Sequence, residues 1–375
     1  MKQLILHIGT GKTGISSIRN QLIKNKQLLE KNNIYYLGKF FEHSSSKEEV
    51  DWAHPDGFHM LKDKSSHAIR LQLSNILKSI SQRLPKEATC IIANESLHHG
   101  PVPFAQAFVN ATCDINCSLH ALAYARSHPS YLQSAYKQWG VRHKTKEGPI
   151  VGFKQWSLSE ERFSIYAEQI NQWNIILQDK LDIYNYDSIE NTHEHFFEII
   201  KKVSGSTFDL KMDKEKFYAT PSDESIFIYA LNNNRHFSRQ LPQIVETYLN
   251  AHYRASNNPP LDLEDIVPSD ETLVYITNTP KIKNDIDLIN RLLLQKGQNT
   301  HELIVNSAKE QTMIGTRDSI VSSMLSSLIA ISISQHAEIE KLKDELRALK
   351  SSVEEIGKSQ KSKSEQINSF QFGGE

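Results

Sequence analysis

The sequence predicts an α/β protein of three layers, in which helices cover both faces of a mostly parallel central sheet. Short apolar runs alternate with stretches in which apolar residues recur every three or four positions, as in Leu4–Ile8 followed by 16–29. This alternation is typical of strands joined by helical crossovers, which make a sheet parallel. Near the C-terminus the same helical spacing occurs with charged residues in between, which predicts a separate coiled-coil tail.

The turn after the first apolar run has the composition of a phosphate-binding loop. Leu4–Ile8 is expected to form a buried strand, and Gly9, Gly11 and Gly14 follow it, with Lys12 among them. Glycines let backbone N–H groups approach an anion, and the N-terminus of the next helix adds a partial positive charge. The sequence therefore predicts a P-loop-like arrangement that holds a nucleotide-type anion.

The remaining elements extend this sheet. Residues 38–66 are polar and are expected to form an insertion, while 68–84 have helical spacing. Further strands are predicted at four places, namely 33–37, 89–93, 118–125 and 181–185. Lys12, Glu95 and Arg126 each follow the end of a predicted strand. Because ligands of such sheets bind beyond the carboxyl ends of the strands, we expect these three side chains to converge.

The loop differs from the pattern of nucleoside triphosphatases, G-x-x-x-x-G-K-[ST]. If Gly11-Lys12-Thr13 ends the pattern, its first glycine falls at Leu6, inside the strand. The strand at 89–93 ends in Asn94-Glu95, without an Asp in the place of the usual magnesium ligand. Both observations weigh against a nucleotide kinase or NTPase, which remains an alternative.

The motif His-x-Gly-x-x-Lys-Thr-Gly-x-Ser-Ser, which starts at His7, resembles the 5′-phosphosulfate loop of sulfotransferases, especially the bacterial carbohydrate-type branch. Those enzymes use 3′-phosphoadenosine-5′-phosphosulfate (PAPS). The resemblance implies a donor site built from the whole loop, that is from Gly9, Thr10, Gly11, Lys12, Thr13, Gly14, Ile15 and Ser16. Ile15 replaces the threonine that is common in the family, so one hydroxyl contact to the phosphate is expected to be missing.

A second motif of that family is an arginine at a strand end followed eight residues later by a serine, and the two hold the 3′-phosphate. Arg126 ends the apolar run 119–125, and Ser134 follows at this spacing. Pro129 fits the first turn of a helix, which would place Ser134 on the same side as Ser130. The planar fork of arginine suits bidentate phosphate binding. ATP and GTP carry no 3′-phosphate, so the resemblance favours PAPS as the donor.

The resemblance also implies roles in catalysis. Lys12 would stabilise the phosphate oxygen that leaves, and Glu95 would act as general base with a raised pKa, without any metal. The alternatives for Glu95 are a helix cap or an ion pair with Arg126. His98 is the second candidate for the base, and His7, inside the first strand, is expected to be a packing or donor-site residue.

Composition limits the other possibilities. The chain has 375 residues and a formal net charge of −1, so no overall field favours nucleic acid. Three cysteines argue against a disulfide framework, and their spacing argues against a zinc site. The chain opens without a signal-like segment and has no run of 18 apolar residues, so no membrane span and a cytoplasmic location are expected. The resemblance makes a bacterial source plausible.

The predicted domains are 1–300 for the sulfotransferase-like part, 301–357 for a helical extension and 358–375 for a disordered end. Apolar residues at heptad spacing fill 339–356, and 321–331 extend the pattern upstream. This favours a homo-oligomer formed through 321–356; a single helix packed on the domain is the alternative.

These observations give one leading hypothesis and two alternatives. The leading one is a PAPS-dependent sulfotransferase that acts on a hydroxyl of a carbohydrate or glycolipid. The first alternative is the nucleotide kinase or NTPase. The second is a catalytically degenerate domain that serves as a coiled-coil scaffold.

Overall fold

The computed structural model describes residues 1–44, 64–159, 165–208 and 266–301, a few positions between 226 and 239, residue 335 and residues 338–353. The chain divides into two units, Met1–Ala308 and Lys309–Glu375.

The centre of the first unit is a five-stranded sheet in which every pairing is parallel. Its strands are β1 Gln3–Gly9, β2 Ile34–Gly38, β3 Thr89–Ala93, β4 Ser118–Ala125 and β5 Leu181–Asn185. Their order across the sheet is β2-β3-β1-β4-β5. The predicted α/β class and parallel sheet are confirmed, with strand bounds that differ from the expected ones by two residues or fewer.

Helices connect the strands, as crossovers between parallel neighbours require. The α-helices whose full bounds lie within the described residues of this unit are α1 Ile15–Lys24, α2 Lys26–Lys31, α3 Ser66–Arg83, α4 Pro101–Asp114, α5 His128–Ala135, α6 Phe153–Ser159, α7 Ala167–Leu177, α8 Thr192–Ser204, α9 Asp270–Thr277 and α10 Pro280–Gln295. Short 3₁₀ turns occupy Leu97–His99, Gln178–Lys180 and Tyr186–Ser188, and a π-helical segment, Tyr136–Arg142, continues α5.

The sheet separates two apolar cores, which makes the fold three-layered. Leu4 and Leu6 of β1 point into the core that includes residues of α3, α4, α7 and α10, whereas Ile5 points into the core with α1 and α8. This alternation follows from the period of two along a strand. Each of these side chains is fully buried, and burying one stabilises the fold by roughly 1.5–3 kcal/mol.

The first predicted helix, 16–29, is divided in two. Asn25 separates α1 from α2 with backbone angles of −95° and 12°, and its Nδ2 donates to the Gln21 carbonyl at 2.9 Å. An asparagine amide competes with the backbone for hydrogen bonds, which explains a break that apolar periodicity alone does not reveal.

Residues 338–353 of the second unit are helical. The apolar residues of the predicted heptads are exposed in this helix, with between 49% and 69% of their surface accessible. They are Ile339, Leu342, Leu346, Leu349 and Val353. Ile356 and residues 321–331 lie outside the described residues. The coiled coil and the oligomer therefore stay predictions.

Candidate functional site

The ends of β1, β3 and β4 lie side by side at one edge of the sheet. His7 of β1 is paired with Ala93, the last residue of β3, and Gly9 is paired with Ala123 of β4. Residues that follow these strands, such as Glu95 and Arg126, consequently emerge around the glycine-rich loop. Of the three side chains expected to converge, Arg126 reaches the loop at Lys12, whereas Glu95 contacts Arg19 and Lys39.

The loop between β1 and α1 turns through left-handed backbone conformations. Gly9 has φ 120°, Gly14 has φ 79° and Lys12, although it has a side chain, has φ 62°. A left-handed Lys is uncommon and indicates a backbone held by its surroundings. Thr10 anchors the loop to β4, since its N–H and its Oγ1 both donate to the Tyr124 carbonyl, at 3.1 and 3.0 Å.

Six consecutive amides of this loop have no acceptor among the described residues. Within the described residues, the backbone N–H groups of 11–16 donate to neither backbone nor side-chain oxygen, whereas Gly9 N–H donates to His7 Nδ1 at 3.1 Å. The first amides of a helix lack intrahelical partners, and here the preceding loop adds further ones. The resulting nest of donors at the N-terminus of α1 has the chemistry of an anion site.

Ile15, where the related loops have threonine, points away from the loop. Its side chain is 4% exposed and packs in the core with Ile18 and Leu22 of α1. The substitution removes a hydroxyl and leaves the Ile15 N–H available. The Ser16 hydroxyl accepts a hydrogen bond from Arg19 Nη2 at 3.1 Å and retains its own O–H as a donor.

Arg126 holds the loop from the β4 side. Its Nη1 donates to the Lys12 carbonyl at 2.7 Å and its Nε donates to Ser130 Oγ at 2.7 Å. Ser130 is one helical turn before Ser134, the expected partner. The Ser134 hydroxyl is 4% exposed and has no hydrogen-bond partner among the described residues. The structure therefore brings the arginine to the loop, whereas the hydroxyl of the predicted serine is buried and makes no hydrogen bond to Arg126.

Side chains from three distant elements hold the backbone around Arg126. The Tyr166 hydroxyl donates to the Arg126 carbonyl, the Ser127 N–H donates to Asp187 Oδ2 at 2.6 Å, and His301 Nε2 bonds the Ala125 carbonyl at 3.1 Å. We refer to these contacts as the Arg126 clamp. They fix the direction in which the arginine leaves the sheet.

A buried pair supports this clamp. His128 Nε2 lies 2.8 Å from Asp285 Oδ2, and Asp285 also accepts from the N–H groups of Tyr166 and Ala167, at 3.0 Å each. Asp285 and His128 are 4% and 1% exposed. Asp285 thereby caps α7 and positions Tyr166, whose ring stacks on that of His128 at 4.7 Å.

Lys12 lies in a purely cationic surrounding. Burial, followed by the positive charges of Arg126 and Arg142, lowers its pKa from an ordinary 10.5 to about 8. Neither charged group that acts on this ammonium is acidic. Buried cations that face one another without an acid destabilise the free protein, and a bound anion would relieve the repulsion.

Glu95 lies in a different charge cluster from Lys12. Its carboxylate contacts Arg19 Nη1 at 2.7 Å and Lys39 Nζ at 3.0 Å. Burial raises its pKa, but Arg19 and Lys39 outweigh that effect and the net shift is downward. The expected raised pKa is therefore wrong, because two cations that the sequence pattern did not connect with Glu95 stabilise its charged form. The suggested ion pair with Arg126 is also not the one formed.

The two histidines near the loop are buried. His98, 1% exposed, contacts the Glu95 carbonyl through Nδ1, and a Cβ on Gly9 would lie 3.1 Å from this nitrogen. His7 is fully buried, and desolvation lowers its pKa to about 3. As a neutral ring it accepts from Gly9, which fits the predicted packing role.

Four contributors to the site were not predicted from the sequence: Arg19, Lys39, Arg142 and Tyr166. Arg19 lies on the same face of α1 as Ser16, since helical residues three apart are neighbours. The sequence spacing could therefore have indicated that Arg19 is close to the loop. For the other three, only the tertiary fold reveals the proximity.

The chain was compared with known proteins. A scan against protein-family models finds no match, and a search of curated proteins finds no significant match. Among the described residues, no helix is long and apolar enough to cross a membrane, and no group of three His, Cys, Asp or Glu side chains is placed to hold a metal ion.

Proposed function

We propose that this chain is a PAPS-dependent sulfotransferase that transfers a sulfuryl group to a hydroxyl of a carbohydrate or glycolipid. The observation that carries the proposal is the nest of six amides at 11–16 without acceptors among the described residues, with Lys12 in this segment and Arg126 bonded to its backbone. Such a site suits a ligand with several negative charges.

The available donors suit the two ends of PAPS. The amides of Gly9–Ser16 that lack acceptors would bind the 5′-phosphosulfate. The hydroxyls of Thr10 and Thr13 already donate, to the Tyr124 carbonyl at 3.0 Å and to the Thr10 carbonyl at 2.6 Å. Arg126 and the unpartnered hydroxyl of Ser134 would hold the 3′-phosphate. Ser130 already bonds Arg126 and would orient its fork.

In the transfer step the acceptor oxygen attacks sulfur, a new S–O bond forms, and the bond from sulfur to the 5′-phosphate oxygen breaks. Lys12 is suited to stabilise the negative charge that develops on the leaving oxygen. The acceptor proton passes to a base, for which Glu95 remains the first candidate and His98 the second. Glu95 is ionised, as a base must be, but its two cationic partners make it a weak one.

Two other functions remain to be tested against this one. A nest of amides and a lysine would also accept the phosphates of ATP, as a nucleotide kinase or NTPase requires. The exposed apolar positions of helix 338–353 would suit a coiled-coil scaffold without catalysis.

The deciding experiment is a calorimetric titration of the protein with 3′-phosphoadenosine-5′-phosphate (PAP), ATP and ADP, with and without magnesium. The proposal requires PAP to bind more tightly than ADP without metal. Magnesium-dependent preference for ATP would support the kinase or NTPase, and no binding of any nucleotide would support the scaffold. Transfer of labelled sulfate from PAPS to glycan and glycolipid extracts then identifies the acceptor.

The proposal includes the cellular location and the oligomeric state of the enzyme. A cytoplasmic bacterial enzyme would meet PAPS where it is made, and homo-oligomerisation through 321–356 would place several sites in one particle. Cell fractionation and the mass of the particle in solution test these two statements.

A further inference from the structure

Arg19 bridges the end of the glycine-rich loop and Glu95. It lies on α1, three residues after Ser16, and its guanidinium donates through Nη2 to Ser16 Oγ at 3.1 Å and through Nη1 to Glu95 Oε2 at 2.7 Å. All three residues are partly exposed. The planar guanidinium directs its donors in fixed directions, so one arginine can hold two acceptors in a defined arrangement.

The contact with Arg19 determines how the Ser16 hydroxyl can bond. A hydroxyl carries one O–H donor and two lone pairs, whereas a guanidinium only donates. Arg19 therefore occupies a lone pair of Ser16 Oγ, and the O–H of Ser16 has to be donated elsewhere. Within the described residues neither this O–H nor the Ser16 N–H has an acceptor. Both donors of Ser16, in the first turn of α1, are thus left for an anion at the loop.

The same arginine fixes the Glu95 carboxylate together with Lys39. Glu95 Oε2 contacts Arg19, and Oε1 contacts Lys39 Nζ at 3.0 Å, so a different cation holds each oxygen. Lys39 comes directly after β2, and its carbonyl accepts from Asn94 Nδ2 at 3.1 Å. An ionised carboxylate has about four lone-pair sites, so two contacts leave Glu95 able to accept a hydrogen bond from a substrate hydroxyl.

We infer that Arg19 is a positioning residue, which keeps the Ser16 hydroxyl as a donor for the anion of the loop and fixes the Glu95 carboxylate beside it. The link to Ser16 follows from the contacts of Arg19 and requires only that an anion binds the loop. The link to Glu95 as the base rests on the proposed function. In that reaction the anion carries the sulfur and Glu95 takes the acceptor proton, so one guanidinium orients a group on each side of the transfer.

Inorganic pyrophosphate tests the link to Ser16 without assuming a nucleotide. We expect Ser16→Ala to weaken pyrophosphate binding by roughly 10-fold, because the lost hydrogen bond goes to a charged ligand. Arg19→Ala should weaken binding by a clearly larger factor in the wild type than in the Ser16→Ala background, because Arg19 acts through that hydroxyl. A general structural defect, or the loss of a positive charge alone, would reduce binding by the same factor in both backgrounds.

Two further variants complete this comparison. Arg70→Ala is the matched control and should leave binding unchanged, because Arg70 is also a helical arginine paired with a carboxylate, that of Asp114 at the surface. Arg19→Lys, which keeps the charge without the planar fork, covers the case in which alanine impairs folding. Equal factors with and without the Ser16 hydroxyl, in every folded Arg19 variant, would overturn the inference.

Sulfate transfer then tests the link to Glu95. At saturating PAPS, Arg19→Ala should lower kcat several-fold, and in the Glu95→Gln background it should lower kcat no further. Losses that multiply would overturn this link.

The two experiments separate the inference from the proposed function. If pyrophosphate binding depends on Arg19 through Ser16 but the wild type does not bind PAP, the link to Ser16 stands and the sulfotransferase proposal fails. If the wild type transfers sulfate and the pyrophosphate comparison shows no coupling, the proposed function stands and the inference fails. Failure of the wild type to bind either ligand rejects both.

Discussion

Arg126 Nη1 donates a hydrogen bond of 2.7 Å to the backbone carbonyl of Lys12, although 114 positions separate the two residues. The guanidinium that is expected to bind one end of the donor thus also fixes the loop that is expected to bind the other end. Arg126 Nε bonds Ser130, so the fork is oriented before any ligand binds. Such preorganisation lowers the cost of ordering the site upon binding.

Replacing Arg126 by alanine is expected to weaken PAP binding by about 1.5–3 kcal/mol, the contribution of a hydrogen bond to a charged group. The loop also loses its bond at Lys12, so binding of 5′-AMP is expected to weaken to a smaller extent. Isothermal titration measures both affinities, with Arg70→Ala as the control. Unchanged PAP affinity in a folded Arg126→Ala variant would exclude a ligand contact.

The positioning role of the Arg126 clamp is tested by Tyr166→Phe, which removes only the hydroxyl that donates to the Arg126 carbonyl. We expect a several-fold loss of PAP affinity with a smaller change for 5′-AMP, because the effect passes through Arg126. Tyr275, which is exposed, provides the control substitution Tyr275→Phe. Equal losses for PAP and 5′-AMP would indicate a general structural defect instead.

Replacing Lys12 by an uncharged residue is expected to stabilise the fold and to weaken anion binding. Because its pKa in the free protein is about 8, its positive charge destabilises the fold below pH 8, and this cost decreases between pH 8 and 10.5. Lys12→Met should therefore raise the melting temperature at pH 7, with a smaller gain at pH 9.5, while it abolishes most anion binding.

In the wild type, nucleotide affinity should decrease as pH rises above 8, since the ammonium loses its proton. Calorimetry at pH 6.5, 7.5 and 9 measures this decrease. Affinity that stays constant across this range would show that Lys12 does not contact the anion.

Glu95→Gln should slow sulfate transfer and leave PAP affinity nearly unchanged, because the carboxylate contacts Arg19 and Lys39 and has no contact with the loop lysine among the described residues. The pKa of Glu95 is lowered from 4.5, so this carboxylate stays ionised as the pH falls from 7 to 5. The contribution of Glu95 to the transfer rate should therefore be lost only below about pH 5. Glu168→Gln, an exposed position on α7, is the control. If His98→Ala slows transfer and Glu95→Gln does not, His98 is the base.

Alanine substitutions at two glycines of the loop, Gly9 and Gly11, should change the stability of the protein by different amounts. At Gly9 the φ of 120° and the 3.1 Å approach to His98 oppose a side chain, so Gly9→Ala should destabilise the protein by about 1–3 kcal/mol. At Gly11 the nearest atom to an added Cβ is the Tyr131 hydroxyl at 3.9 Å, and Gly11→Ala should leave stability nearly unchanged. Urea denaturation of both variants provides the comparison.

Much of the fold could be read from the sequence. Alternating apolar runs and helical stretches suffice for the parallel sheet, because burial on both faces and the period of each element restrict the possible architecture. The glycine-rich turn similarly located the loop, since few residue types permit that backbone. The break at Asn25 was not predicted, because it depends on one local side-chain hydrogen bond rather than on periodicity.

The sequence by itself determined the glycine-rich turn around Lys12 and the position of Arg126 at the end of a strand, since both depend on residue type and local spacing. Only the tertiary structure decided which charges meet. It paired Glu95 with Arg19 and Lys39, and it bonded Arg126 to Ser130 and to the loop. Coulombic interactions and hydrogen bonds act over a few ångströms in space, and sequence separation carries no information about such distances.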